Sequence, residues 1–331
     1  MIAVAALSQS AAATSYAATP PSPSPADSIG LMLLDAPVSR RDDPRARVYI
    51  IDFLAPGTII SRRVQVSNSS TTTRSIQFYA GAATIKGNAF AFGDNRTANE
   101  LSTWISFDRT LVPLAPKAKT TVLVTIRVPK QASSGERYAV IWAQTTSLPT
   151  KTANVGMVSR VGVRIYLGAG PGGEPPSNFQ IESLTPGRTP TRLPEVFIRV
   201  RNTGSRAVDL SGSLTLTNGP GSMSAGPFPV AGGTTLAPGG VGLATVVLNK
   251  LLPNGPWHAH VALNSGIINR TADATITFPA AGVGASVMVE ANTSGTMFSG
   301  PLMMILLILA VSGLIVIGIR ALLRRTGRLA R

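Results

Sequence analysis

The chain has 331 residues, with 30 Lys+Arg against 15 Asp+Glu and a formal net charge of +15. That length accommodates two domains of ordinary size, and a charged fraction of only 14% with positive mean hydropathy is the reverse of a disordered composition. Zero Cys excludes disulfides, thiolate metal sites and Cys nucleophiles, and two His exclude most multi-histidine centres, so no metal and no cofactor is expected.

In chain order, residues 1–18 read as an export signal: Ala-rich, apolar and ending in Ser15-Tyr16-Ala17, the small-x-small form of a signal-peptidase site. The apolar run is short and no Lys or Arg precedes it, as in a signal with a truncated start. Residues 19–27, with TPPSPSP, form a proline-stiffened spacer. Residues 28–168 are a first β-rich block, 169–177 a Gly/Pro linker, and 178–280 a second β-rich block. Residues 281–300 are a Gly/Ala/Ser-rich tether. Residues 301–319 carry no charge over 19 positions, which at ~1.5 Å per residue matches the ~30 Å hydrocarbon layer, so a single transmembrane α-helix is expected there. The tail, 320–331, holds Arg320, Arg324, Arg325, Arg328 and Arg331 and no acid, whereas the 18 residues before the span hold only Glu290. By the positive-inside rule the tail is cytoplasmic, and both blocks are extracellular on a single-pass membrane protein.

The two blocks repeat one pattern. Leu54-Ala55-Pro56-Gly57, Val64 to Asn68, Leu114-Ala115-Pro116-Lys117 and Gly135 to Ile141 recur in order as Leu184-Thr185-Pro186-Gly187, Val196 to Asn202, Leu236-Ala237-Pro238-Gly239 and Gly255 to Val261. Period-2 strands, an Asn suited to left-handed turn geometry and Pro-containing turns point to an all-β protein of two tandem immunoglobulin-like β-sandwiches. Alternation sends Ala139, Ile141 and Ala143 inward, matching Ala259, Val261 and Leu263, and leaves Tyr138, Val140 and Trp142 on the outer face.

The segments LAPG, VQVSNSS, LAPK, VTIRVP and GERYAVIWAQ, with Trp104 between them, resemble the peptidoglycan-binding domain of the WxL-interacting protein family of Gram-positive surfaces. The order of signal, sandwich, second sandwich, span and basic tail is similar to that family too. The resemblance implies a binding module without catalytic residues.

The chemistry-bearing residues agree with a non-enzymatic reading. His258 and His260 share one face of a strand with no acid nearby in sequence, no carboxylate pair stands out, and no nucleophile signature is present. The first block carries 18 Lys+Arg against 8 acids and the second 7 against 4, so the positive excess is concentrated in the first. Outside a cell such a surface meets anionic wall polymers rather than nucleic acid, whose motifs are absent. Tyr138 and Trp142 offer faces for sugar rings, Arg137 and Arg127 offer charge for carboxylates, and Trp104 is a further aromatic candidate. The expected function is a membrane-anchored surface protein that binds the cell wall, through peptidoglycan or an anionic wall polymer, and contacts a surface protein partner. The alternative is an extracytoplasmic chaperone-like assembly factor that receives a client strand on an exposed sheet edge.

Overall fold

Ten strands build the first sandwich in the computed structural model, which describes residues 29–147, 156–249 and 251–289. One sheet holds β1 (Ile29–Leu33), β3 (Ile59–Asn68), β8 (Lys119–Arg127) and β6 (Ile105–Phe107), in the order β1-β3-β8-β6. The facing sheet holds β2 (Ile50–Leu54), β10 (Met157–Ala169), β9 (Gly135–Ser147), β4 (Arg74–Lys86) and β5 (Ala89–Phe92) in that order, with β7 (Leu111–Leu114) also on β4. A one-turn helix, α1 (Glu100–Thr103), is closed by a capping box between Asn99 and Ser102 and lays Leu101 into the core.

In the second sandwich one sheet runs β17 (Val241–Val247), β12 (Pro194–Asn202), β11 (Phe179–Arg188) and β20 (Val287–Met288). The other runs β15 (Ala225–Pro229), β14 (Ser211–Thr217), β18 (Trp257–Ser265) and β19 (Ile268–Ile276). Two short strands, β13 (Val208–Asp209) and β16 (Thr235–Leu236), pair separately. Each sandwich has its own buried cluster, with Val64, Val122, Val124, Ala139 and Ile141 in the first and Val196, Val200, Ala259, Val261 and Trp257 in the second. All-β architecture and the inward set Ala139, Ile141, Ala143, Ala259, Val261 and Leu263 are as the alternation predicts.

The repeat has an atomic counterpart. Asn68 Nδ2 donates to the carbonyls of Thr72, Leu114 and Ala115 at 2.8, 3.0 and 3.1 Å. Asn202 Nδ2 donates to Arg206, Leu236 and Ala237 at 2.8, 3.0 and 3.0 Å. In both blocks a buried amide at the end of the second core strand stitches that strand to its own turn and to the Leu-Ala-Pro turn opposite, whose Lys117 and Gly239 adopt positive φ. One landmark departs from the pattern. Leu54-Ala55-Pro56-Gly57 turns the chain between β2 and β3, but Leu184-Thr185-Pro186-Gly187 lies inside β11, opposite Ile198 to Glu195 of β12. Proline is tolerated there because, beyond the pairing of β20 with Ser183 and Leu184, the outer side meets only an isolated bridge of Gly187 with Val283, where the Pro186 carbonyl accepts from Gly284 N–H at 2.8 Å and no N–H is required of Pro186.

The export signal, the proline-rich spacer, the transmembrane helix over 301–319 and the tail arginines 320, 324, 325, 328 and 331 lie outside the described residues, as do positions 290–300 of the tether. Among the described residues no helix is long and apolar enough to cross a membrane. The linker positions after Ala169 are not an open hinge: Glu174 pairs with Arg40 and Arg206, and Ser205 N–H donates to Pro176 O at 2.9 Å.

Candidate functional site at the outer face and free edge of the first sandwich

The antiparallel register of β9 with β10 and β4 puts Trp142 between Gly162 and Tyr79, and Gln144 between Arg160 and Gln77, all on the outer face. Two glycines make room for the indole to lie across the sheet. A Cβ on Gly162 would sit 2.8 Å from Trp142 Cε3 and Cζ3, and one on Gly81 would sit 3.0 Å from Nε1. Above this seat the Arg160 guanidinium stacks on the Trp142 ring at 4.5 Å, and Phe92 of β5 meets it edge-on at 4.9 Å. On the other side Arg96 stacks over Tyr79 at 4.5 Å, whose hydroxyl donates to Gln144 Oε1 at 2.9 Å. Two arginines thus cover the adjacent rings of Trp142 and Tyr79, an arrangement stabilised by cation–π contact and by burial of the long arginine stems. A concavity of about 780 Å³ opens over it, lined by Tyr79, Asp94, Asn95, Arg96, Gln144, Val158 and Arg160.

The same face borders an unfinished edge. β2 pairs with β10 in parallel only from Ile165↔Ile50 to Ala169↔Leu54, whereas β9 covers β10 along its whole length. Residues 158–164 therefore have a ladder on one side and, among the described residues, none on the other. Val161, facing inward on this stretch, is only half-buried, and so is Leu31 of β1, both on the rim of the first core. β1 approaches β10 across the seam between the sheets without joining it in a ladder.

Towards the second sandwich the outer face becomes the interface between the two sandwiches. Phe90, Tyr138 and Tyr166 pack as an aromatic cluster with Ile51, Ala83 and Ala207, the Tyr138 and Tyr166 rings 5.8 Å apart at 80°. Asp209 of β13 accepts from the Tyr166 hydroxyl at 2.8 Å and from Thr235 Oγ1 at 2.7 Å, and pairs with Arg45 at 2.7 Å and Arg164 at 3.7 Å. Glu136 accepts from the Tyr138 hydroxyl at 2.8 Å and from the Ala207 N–H at 2.6 Å. Burial, then the carboxylate of Glu136 beside it, pushes the Tyr138 phenol well above its ordinary pKa; burial and Asp209 do the same to Tyr166. Burial, then the like charge of Arg40, pulls the Arg206 pKa down. A cleft of about 330 Å³ at this boundary is lined by Arg40, Arg45 and Arg206 on one hand and Asp42, Asp43 and Glu174 on the other. Its charges largely answer one another.

The sequence-predicted site residues are therefore scattered. Tyr138 is built into the interface between sandwiches, and Trp142 is 6% exposed beneath Arg160 and Phe92. Trp104 closes the first core beside α1, with Arg137 stacked on it at 5.1 Å and paired to Glu100 at 2.9 Å. Arg127 belongs to the opposite sheet and donates to Ser106 Oγ at 2.6 Å. Arg96 and Arg160, which sequence reasoning did not select, stand at the concavity; the alternation of Val161, Val163 and Ile165, which sends Arg160 to the outer face, was the signal that could have found the latter. His258 and His260 meet Asp273 of the neighbouring strand at 3.3 and 2.8 Å, a contact invisible at a sequence distance of 13 or more. Among the described residues no group of three or more ligating side chains is arranged to hold a metal ion.

No family model and no curated protein matches the chain. In fold the chain is similar to fimbrial chaperones. The class 5 fimbriae chaperone CfaA is 13% identical with a TM-score of 0.37, the match covering 76% of this chain and all of that one. The E. coli chaperone DraB is 12% identical with a TM-score of 0.39, covering 80% and 98%. A Salmonella enterica structure of the SafA pilin in complex with the SafB chaperone gives 12% and 0.40, covering 76% and 97%. The expectation of a cell-wall-binding protein is corrected here. The aromatic faces meant for sugar rings are already covered by Phe92, Arg160 and the second sandwich. The physical reason is that an outer face is not an exposed one when a neighbouring strand and a second domain pack on it.

Proposed function

We propose that the protein is a chaperone-like assembly factor that takes up a strand from a client protein along the free edge of β10. The observation that carries this reading is the half-paired strand: residues 158–164 have β9 on one side and no ladder on the other among the described residues. Proteins usually protect such an edge by keeping it short, bulged or covered. This stretch is regular over its pairing with β9, carries Val158, Val161 and Val163, and borders a core rim left half-covered at Val161 and Leu31. A client strand seated there gains backbone hydrogen bonds from β10 and places its alternate side chains over Val161 and Leu31, the β-augmentation mode of recognition.

The uncharged run 301–319 followed by five arginines supports an extracytoplasmic setting with a membrane anchor, in which the client is a secreted or surface protein. The test is hydrogen exchange on the full chain with an extended peptide of alternating valines. Saturable binding that slows exchange within residues 158–164, and that Val161→Arg abolishes without unfolding the protein, is the expected result. Binding that leaves these amides exchanging as before would overturn the reading.

A further inference from the structure

We infer that the client segment carries acidic side chains on its outward face, recognised by Arg160 and Arg96. The inference rests on strand addition at β10 and specifies its chemistry. The outward residues of the free edge are Val158, Arg160, Gly162 and Arg164, because their β9 partners Thr146, Gln144, Trp142 and Val140 alternate out of the core. Arg164 is engaged with Asp209. Arg160 is not: its guanidinium stacks on Trp142, and no carboxylate pairs with it among the described residues. Arg96 likewise stacks on Tyr79 and donates to Gln77 Oε1, a neutral acceptor. Both line the 780 Å³ concavity, whose single acid among the lining residues is Asp94, so one positive charge there is left uncompensated.

Val158 and Arg160 belong at once to the edge and to the concavity, so a strand added to that edge runs along its rim. A residue directly across from Arg160 has its Cβ ~5 Å away, and cross-strand pairs of opposite charge are favoured while like charges are disfavoured. Stacking on Trp142 already fixes the Arg160 stem, so less side-chain freedom is lost when a carboxylate arrives. Inward positions of the client are then apolar and outward positions acidic, a two-residue alternation that rejects basic strands.

The experiment compares two nine-residue peptides on the full chain by fluorescence anisotropy. Both have valines at the inward positions; outward positions are Glu in one and Gln in the other. The Glu peptide should bind roughly three- to tenfold more tightly at low salt, the scale of one or two exposed charge pairs. The difference should shrink at higher ionic strength and in Arg160→Met, which keeps the stem on Trp142, and vanish in Arg160→Met with Arg96→Gln. Arg160→Lys should restore part of it. Equal binding of the two peptides to the wild type, or a preference unchanged in the double variant, would overturn this inference and leave strand addition standing. Failure of both peptides to bind would remove strand addition and this inference with it. Tryptophan fluorescence reports whether the Trp142 seat survives each substitution.

Discussion

Two asparagines show how much one residue type can decide. Asn68 and Asn202 are almost fully buried, and each spends its amide hydrogens on three carbonyls while its oxygen accepts from the turn two residues on, at Ser70 and Gly204. Only Asn supplies a donor pair and an acceptor on so short a stem; Asp keeps the acceptors but faces three carbonyl oxygens with no donor. Asn68→Ala and Asn202→Ala should each cost about 2–3 kcal/mol, since carbonyls of a buried turn lose their partners along with the amide. Denaturant melts of the two variants give the comparison, and the cost should be similar because the two sites are built alike. A loss under about 0.5 kcal/mol would mean that water replaces the amide without strain. The repeat in the sequence pointed to this position through its turn, and the structure shows that the turn and the opposing Leu-Ala-Pro loop are held by the same side chain.

At the scale of the sheet, the seat of Trp142 depends on two strands contributing nothing. Gly162→Ala would place a methyl 2.8 Å from the indole and from Val140 Cγ2, so the ring must lift towards Arg160 and Phe92. Overpacking of this kind costs about 1–3 kcal/mol, and a red-shifted tryptophan emission should accompany it. Gly162→Ala combined with Trp142→Leu should be less destabilised than the sum of the two single changes, because the smaller side chain removes the clash. The alternation of β9 was legible in the sequence and assigned both faces correctly, since periodicity in one strand is a local property. What covers the outer face was not legible, because Phe92 comes from β5 some fifty positions earlier, Arg96 from the segment after it, and the second sandwich from beyond residue 178. The free edge was equally hidden: strand pairing beyond the hairpin depends on where β2 joins β10, and no residue in β10 marks Ile165 as the point where the second ladder begins. Composition located the positive charge in the first block but could not tell Arg160, stacked and without an acid partner among the described residues, from Arg45, which is answered by Asp209.

At the scale of the two sandwiches together, the interface between them rests on phenols that must stay protonated. Tyr166 donates to Asp209 and Tyr138 to Glu136, and in both cases burial first and the adjacent carboxylate second push the pKa above the ordinary value of 10.0. A phenol whose folded pKa is raised binds its proton more tightly in the folded state. Its contribution to stability is therefore complete below pH ~10, where the unfolded chain also holds the proton, and is lost as the pH climbs towards the raised folded values. Ionising either hydroxyl sets a phenolate against a carboxylate less than 3 Å away, with the apolar cluster of Phe90 and Ala207 around it. Spectrophotometric titration should accordingly show Tyr138 and Tyr166 ionising only together with the loss of structure followed by circular dichroism. In Tyr138→Phe, which keeps the ring between Phe90 and Tyr166, the protein should lose the hydrogen bond to Glu136 at neutral pH, yet its stability should fall less steeply with pH above ~10 than the wild type's, because one of the two protons no longer has to be surrendered. A wild type whose tyrosines all titrate near 10 before any structural change would show that water reaches this cluster, and that the two sandwiches part more readily than their packing implies.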